Sequence, residues 1–583
     1  MEDDMSQYDR VIKGGTIIDG TRTRERFVGD IAIKDGLIAK ITEGDGIDAA
    51  SAKEVIDATG LNVVPGFVDL HTHYDGQLLW DPYLSCSSWH GVTSMAIGNC
   101  GFGFAPAHPE QRERLMLSME RVEAIPLACM KAGMDWDWET FPEWLDSLER
   151  RPKGVNVMSF VPLNPLMVYV MGMEDSKTRE PTKDELAEML RIMEEALDAG
   201  GVGYTMQRLG DGFTSVQRDY DGTPMPTDTM SDELVLEFAK VLKGRGEGII
   251  QLTQAKDDVV ADLEFGTALA EASGCPLLWN AVQVNERHPH QHRRMLRFVD
   301  EAREKGLEVW MQAITTPNDL RFMLDDFNLF DGNGAWRDVT IGDVDTRISK
   351  MQDPELRAAV REDYDHGSAP FVSGPVADLV IDSVTNKENE VYVGMTVAEL
   401  GIAMDRHPAD AMLDLAISER LKTVFYVVPF NYDEGLLNEI LQNEWTVPGL
   451  SDGGGHTKFL NYGRYPSSMI ETLVRERGSY TLEEAHYRLA AMPAKAAGFN
   501  DRGTLEEGRA ADIVIYDYEN LKLQPTEIAH DLPGDEWRYV QKADGYRYII
   551  VNGEPIFIDG ECTGATPGKL LRHGSAQGVS KVA

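Results

Sequence analysis

Long hydrophobic runs are missing from this chain of 583 residues. No apolar stretch approaches the about 18 to 20 residues that a membrane-spanning helix needs, so no membrane partner is expected. No secretory leader is expected either. Met1 to Arg10 is polar and acidic, with no basic stretch followed by an apolar one. Cysteine is scarce: Cys86, Cys100, Cys129, Cys275 and Cys562 are an odd number at irregular spacing, which does not make a disulfide framework. These absences predict a cytoplasmic protein. Positive charge is short too, with 56 Lys and Arg against 97 Asp and Glu and a formal net charge of -41. Such a chain repels nucleic acid and anionic membranes, and the excess reads as a strongly solvated surface. No Gly-rich phosphate loop follows a strand, which removes nucleotide binding, and a Ser-His-Asp hydrolase is not expected.

What is present is an ordinary globular composition, 42% hydrophobic and 26% charged, in a chain too long for one core. Both ends read as short strands. Tyr8 to Ile18, Val28 to Ile33 and Leu37 to Ile41 are apolar, β-branched runs broken by Gly14-Gly15, Asp19-Gly20 and Asp35-Gly36. Ala511 to Tyr516, and Tyr546 to Val551 with Asn552-Gly553 and Pro555 to Ile558, repeat that texture near the other end. The two ends predict one small β-domain, over 1–65 and 505–583. The middle, 66–504, alternates apolar strands with amphipathic helices: Val155 to Pro162 then Thr182 to Ala199, Gly248 to Thr253 then Asp258 to Ala272, Pro276 to Val282 then Gln291 to Lys305, then Leu307 to Ala313. This alternation favours a parallel sheet with helical crossovers, open or closed. Residues 319–396 break the rhythm and read as an insertion, suited to a lid or a contact between copies in a homo-oligomer.

The apolar strand Val63 to Leu70 runs into His71-Thr72-His73. Residues two apart on a strand point the same way, so two imidazoles at its C-terminal end are a bidentate start for zinc or a similar divalent ion. Cys100 follows the apolar run Val92 to Ile97, and the thiolate of a cysteine is a strong zinc ligand, although on residue type alone a buried small hydrophobe fits better. Asp452 follows Trp445 to Leu450 and precedes three glycines. A carboxylate there can bind an ion and take a proton from water, or can simply serve a turn.

The string His71-Thr72-His73-Tyr74-Asp75, Trp80-Asp81-Pro82, His90-Gly91-Val92-Thr93 and Gly98-Asn99-Cys100-Gly101 resembles the amidohydrolase superfamily, and within it the D-aminoacylase branch. The resemblance resumes at Ser451-Asp452-Gly453, Met492-Pro493-Ala494, Asp501-Arg502-Gly503-Thr504-Leu505 and Gly508 to Val514. It implies an α/β fold, a (β/α)8 TIM-type barrel with a small β-sandwich domain formed from both termini. It also implies one or two divalent ions, zinc foremost, with His71, His73, Cys100 and Asp452 as metal ligands and Asp452 as the catalytic base. The implied reaction is hydrolysis of a C–N amide bond in a small N-acyl amino acid, of D configuration in that branch, or in another linear or cyclic amide.

The centre departs from the pattern. Gln254 in Thr253-Gln254-Ala255-Lys256 and Asn280 in Trp279-Asn280 stand where the branch has metal-binding histidines. Amide oxygens are weak ligands beside a thiolate, so both residues are expected to bind substrate by hydrogen bonds instead. His288, His290 and His292 are alternative ligands or solvated loop residues. His456, Lys458 and Arg464, where the branch has a His-Pro-Arg that holds a substrate carboxylate, are expected at the substrate, or as solvated loop residues. The two lost histidines also leave open a non-catalytic binding subunit.

Overall fold

The structure, a computed structural model, describes residues 6–210, 217–256, 258–286, 288–325, 329–368, 373–427, 429–459 and 461–573. Parts of the 319–396 insertion (326–328 and 369–372), position 287 of the histidine-rich loop and the end of the tail (574–583) lie outside the described residues.

Eight parallel strands follow one another in chain order. They are Phe67–Asp69, Val92–Ile97, Asn156–Ser159 continuing through Phe160 into Val161–Pro162, Gly203–Arg208, Ile249–Gln254, Leu277–Val282, Val309–Ala313 and Thr446–Pro448. Neighbours pair in parallel from Phe67 against Val92 round to Met311 against Thr446. The ring closes above the strand ends, where Thr72 bridges Gly453 in parallel and the His73 N–H donates to the Gly453 carbonyl at 2.7 Å. A single cluster joins Val68, Ala96, Met158, Val202, Ile249, Leu278, Trp310 and Val447, one side chain at or beside each of the eight strands. Only the axis of a closed barrel brings all eight together, so this cluster is the packed floor of the interior. The alternate residues, Met95, Val157, Ile250, Leu252, Leu277, Val309 and Met311 among them, face the surrounding helices in the large outer cluster. Burial on both faces explains why these strands read as unbroken apolar runs.

The helices form where their caps allow. Lys183–Asp198 begins with a capping box between Thr182 and Glu185 and buries Met189, Ile192, Met193, Ala196 and Leu197. Val259–Ser273 is capped by Asp258 and stopped by Gly274, whose φ of 61° suits glycine. Between the seventh and eighth strands lies a separate unit. It holds an antiparallel sheet of Arg321–Phe322, Val424–Tyr426 and Val380–Ser383, and a core that includes Phe322, Phe330, Trp336, Leu379, Ile381, Met412 and Phe425. The unit runs past Thr396, because helices Val397–Ala403 and Pro408–Ser418 pack into the same core. Their regular periodicity looks like that of barrel helices, which is why the break in rhythm ends too early.

The termini meet in a nine-stranded sheet. Asn62–Pro65 from the N-terminal side pairs antiparallel with Ile513–Tyr516 from the C-terminal side, and Ile12, Ile17, Ile31, Ile33, Ile38, Ile513 and Ile515 share one core. The tail up to His573 docks on its own barrel, where Pro567 and Leu570 bridge Lys153 and Val157. Among the described residues no helix is long and apolar enough to cross a membrane.

Candidate active site

Past the barrel floor, the period of two along the strands brings Gln251, Asn280 and Gln312 to the upper interior, each two residues beyond an apolar floor residue. There they meet the segments that leave the C-terminal strand ends. Asp69 accepts from the His71 N–H at 3.1 Å, and the Thr72 hydroxyl donates to the Ala96 carbonyl at 2.6 Å, which ties the His-Thr-His segment to the second strand. Cys100 takes φ 56° and its N–H donates to Gln251 Oε1 at 2.6 Å. Asp452 sits at φ 47°, in the left-handed region that few non-glycine residues occupy without a stabilising context.

These turns aim donor atoms at one point. The donor atoms of His71, His73 and Cys100 lie within 4.8 Å of one another. His71 Nε2 is 3.3 Å from Cys100 Sγ and 3.3 Å from Asp452 Oδ1, and His73 Nε2 is 3.8 Å from the same oxygen. Burial holds the His71 imidazole neutral, down to about 4, and lowers His73 as well. Burial also pushes the Asp452 carboxyl up to about 7, and burial together with Glu123 and Asp452 raises the Cys100 thiol. Two neutral imidazoles, a thiol and a carboxyl are a donor set that suits a divalent ion. Binding an ion deprotonates the thiol and carboxyl and reverses these shifts. The residues therefore fit a divalent ion.

Asn280 does something other than its sequence context suggests. Its amide lies 2.5 Å from His71 Nδ1, with Gln312 Oε1 at 3.3 Å on the same nitrogen. Turning the amide places Oδ1, otherwise buried without a hydrogen-bond partner, where it accepts the Nδ1–H. That fixes the tautomer with a lone pair on Nε2, the face that looks at Cys100 and Asp452. Gln254 lines the cavity above, but its amide donates to Asp262 at 2.7 Å and accepts from Arg208 at 3.4 Å.

That cavity has a volume of 410 Å³ and rests on His71, His73, Cys100, Asp452 and His456. Its walls are mainly apolar, with Leu209, Leu263, Trp279, Ile314, Phe459 and Tyr462, and Lys256 is the lysine that reaches it. Lys458 and Arg464 do not line it. Lys458 pairs with Glu536 at 3.0 Å over the Trp537 ring, and Arg464 donates to Gln541 at 2.7 Å. The chain reverses at His456, φ 57°, and carries both cations away from the site. The three loop histidines stay outside too: His292 pairs with Glu439 at 3.0 Å and His290 accepts from Arg293 at 2.9 Å. Gly449-Leu450-Ser451-Asp452-Gly453 has the Gly-x-Ser-x-Gly spacing of a nucleophile elbow, yet Ser451 is fully buried and its hydroxyl donates to the His71 carbonyl at 3.2 Å. It braces the turn at His71.

Four residues escape the sequence reading: Gln251, Gln312, Lys256 and Glu123. A polar residue inside an apolar barrel strand, as in Ile250-Gln251-Leu252 and Met311-Gln312-Ala313, is the signal for the first two. Glu123 ends the helix Arg112–Glu123, which carries no motif, and is fully buried between His73 and His456.

The amidohydrolase family model matches residues 54–557. The N-acyl-D-aspartate deacylase of Alcaligenes xylosoxydans xylosoxydans is 26% identical, over 99% of this chain and 97% of its own length. The D-aminoacylase of the same organism is 25% identical, over 99% of this chain and all of its own. Among solved structures, the N-acyl-D-glutamate deacylase from Bordetella bronchiseptica, complexed with zinc and a phosphonate inhibitor, superposes with a TM-score of 0.67 at 23% identity, covering 97% of this chain and all of that one.

Proposed function

The chain belongs to the amidohydrolase family, and from that membership we propose that it is a divalent-metal-dependent deacylase of N-acylated amino acids. The observation that carries this reading is the convergence of His71, His73, Cys100 and Asp452 from three barrel strand ends beneath one cavity. The same convergence weighs against a non-catalytic binding subunit. His71 and His73 through Nε2, Cys100 through its sulfur and Asp452 through Oδ1 would hold the ion. When bound, the ion supplies Lewis acidity to the scissile carbonyl and to the attacking water.

The protein supplies the proton chemistry and the positioning. Asp452, the carboxyl at the cavity floor, takes the proton of the attacking water as its oxygen adds to the carbonyl carbon. It then delivers that proton to the nitrogen as the C–N bond breaks, leaving a carboxylate and an amine. Asn280 and Gln312 keep His71 in the tautomer that binds metal. Lys256, in place of Lys458 and Arg464, faces the cavity to meet a substrate carboxylate. The apolar walls favour an apolar acyl chain or side chain.

The test is amine release from a panel of N-acetyl and longer N-acyl amino acids of both configurations, with apolar and acidic side chains, using zinc-loaded protein. Turnover is expected on members with apolar side chains. Amine release from none of the panel would contradict the proposal.

A further inference from the structure

Two amide side chains in the cavity wall are left unused by the deacylase chemistry. Asn318 lines the cavity, is 1% exposed, and has no hydrogen-bond partner for either its amide nitrogen or its amide oxygen. Gln283 lines it too, and its Oε1 is buried without a partner. A polar group that gives up water on folding and gains nothing in return destabilises the fold, and an apolar side chain of similar shape would avoid that cost. A polar group kept in such a place fits a binding role.

The backbone beside these side chains is held firmly. Asn318 follows the strand Val309–Ala313, and its N–H donates to the Phe430 carbonyl at 2.9 Å. Gln283 directly follows Leu277–Val282, the neighbouring strand. Asn431, fully buried, ties the two segments together. Its Oδ1 accepts from the Val284 N–H at 2.8 Å, and its Nδ2 donates to the Ile314 and Thr316 carbonyls at 3.0 Å each. One asparagine thus satisfies the backbone of both segments, while the amides of Asn318 and Gln283 stay open to what the cavity takes in.

The open atoms select the ligand. Asn318 presents a donor and an acceptor side by side, and turning the amide over only exchanges them. A carboxylate has acceptors alone, so it leaves the asparagine oxygen facing another oxygen. A trans secondary amide carries its N–H and C=O on opposite sides. A primary carboxamide carries both on one edge, pairs with Asn318 through two parallel hydrogen bonds, and keeps its second N–H for Gln283 Oε1. Charge agrees. Among the described residues that line the cavity Lys256 is the one lysine or arginine, and the α-carboxylate of an N-acyl amino acid engages it.

We propose that Asn318 and Gln283 form a subsite for an uncharged primary carboxamide, so that the preferred substrates are N-acylated glutamine or asparagine. The proposal rests on the deacylase reading and narrows it. Substrates with apolar side chains enter the same cavity but leave Asn318 without a partner.

The test is kcat/KM of zinc-loaded protein on the N-acetyl derivatives of glutamine, glutamate and methionine, whose side chains are alike in length, in both configurations. The wild type is expected to favour glutamine over the other two by about 10- to 100-fold, the effect of two or three hydrogen bonds. Asn318→Leu is expected to lower glutamine turnover until the preference over methionine is within about threefold, and Gln283→Met to reduce it in part. Urea unfolding of ligand-free protein gives a readout independent of turnover. Asn318→Leu removes an unpaired buried amide, so its midpoint is expected at or above that of the wild type. A lower midpoint means that Asn318 serves the fold and overturns the proposal. Methionine or glutamate turned over as fast as glutamine by the wild type, or a preference that survives Asn318→Leu, overturns the carboxamide subsite and leaves the deacylase reading standing. No turnover of any N-acyl amino acid overturns both.

Discussion

Asn280→Ala removes the group closest to the outer nitrogen of His71, at 2.5 Å, while leaving every proposed ligand in place. What remains on that nitrogen is Gln312 at 3.3 Å, a long contact. A buried N–H that loses its acceptor costs about 1–3 kcal/mol. Because only the Nδ1–H tautomer leaves Nε2 free for metal, the cost falls on metal binding. Partial compensation by Gln312 puts the expected loss toward the lower half of that range, about 10-fold in zinc affinity. Asn280→Ala combined with Gln312→Ala removes both acceptors and is expected to approach 100-fold. The assay is competition for zinc against a chelator of known affinity, with near-ultraviolet circular dichroism to show that the barrel is intact. Asn280→Asp, which keeps an acceptor on His71, is expected to bind at least as tightly as the wild type. If Asn280→Ala binds zinc within twofold of the wild type, the bracing role is wrong and Asn280 returns to the substrate.

Two more outcomes are expected. Asp452→Asn keeps the left-handed backbone, since asparagine tolerates it, and removes the base; kcat is expected to fall about 10²- to 10⁴-fold while substrate still protects the protein from proteolysis. Away from the site, burial depresses His90 and His486 to about 4 from an ordinary 6.5. The unfolded chain therefore takes up their protons first as pH falls, so their contribution is complete above about pH 6.5 and is lost toward pH 4, at about 1.4 kcal/mol for each unit of depression. Urea midpoints should fall steadily from pH 7 to 4.5, and a flat profile would count against this.

The barrel and the paired histidines at its mouth are legible because they depend on local patterns: apolar strands buried on both faces, a period of two, and His71 and His73 next to a strand end. The β-domain from both termini is legible for a similar reason, in its Asp-Gly and Asn-Gly turns. What is not legible depends on chain reversals. Lys458 lies only six residues from Asp452, yet the turn at His456 sends it to Glu536. Glu123 lies more than three hundred residues from His456 and reaches it through a helix end that nothing in its own sequence marks. Asn280 looks like a lost ligand in sequence, and only its 2.5 Å approach to His71 Nδ1 sets it against that imidazole instead.

The most direct test is to remove divalent metal by dialysis against a chelator and to measure amide hydrolysis before removal, after it, and after zinc is restored, in the wild type and in His73→Ala. Activity that disappears with the metal, returns with zinc in the wild type and stays absent in His73→Ala is the expected result. Hydrolysis that persists in metal-free protein would contradict a metal-dependent site at His71, His73 and Asp452.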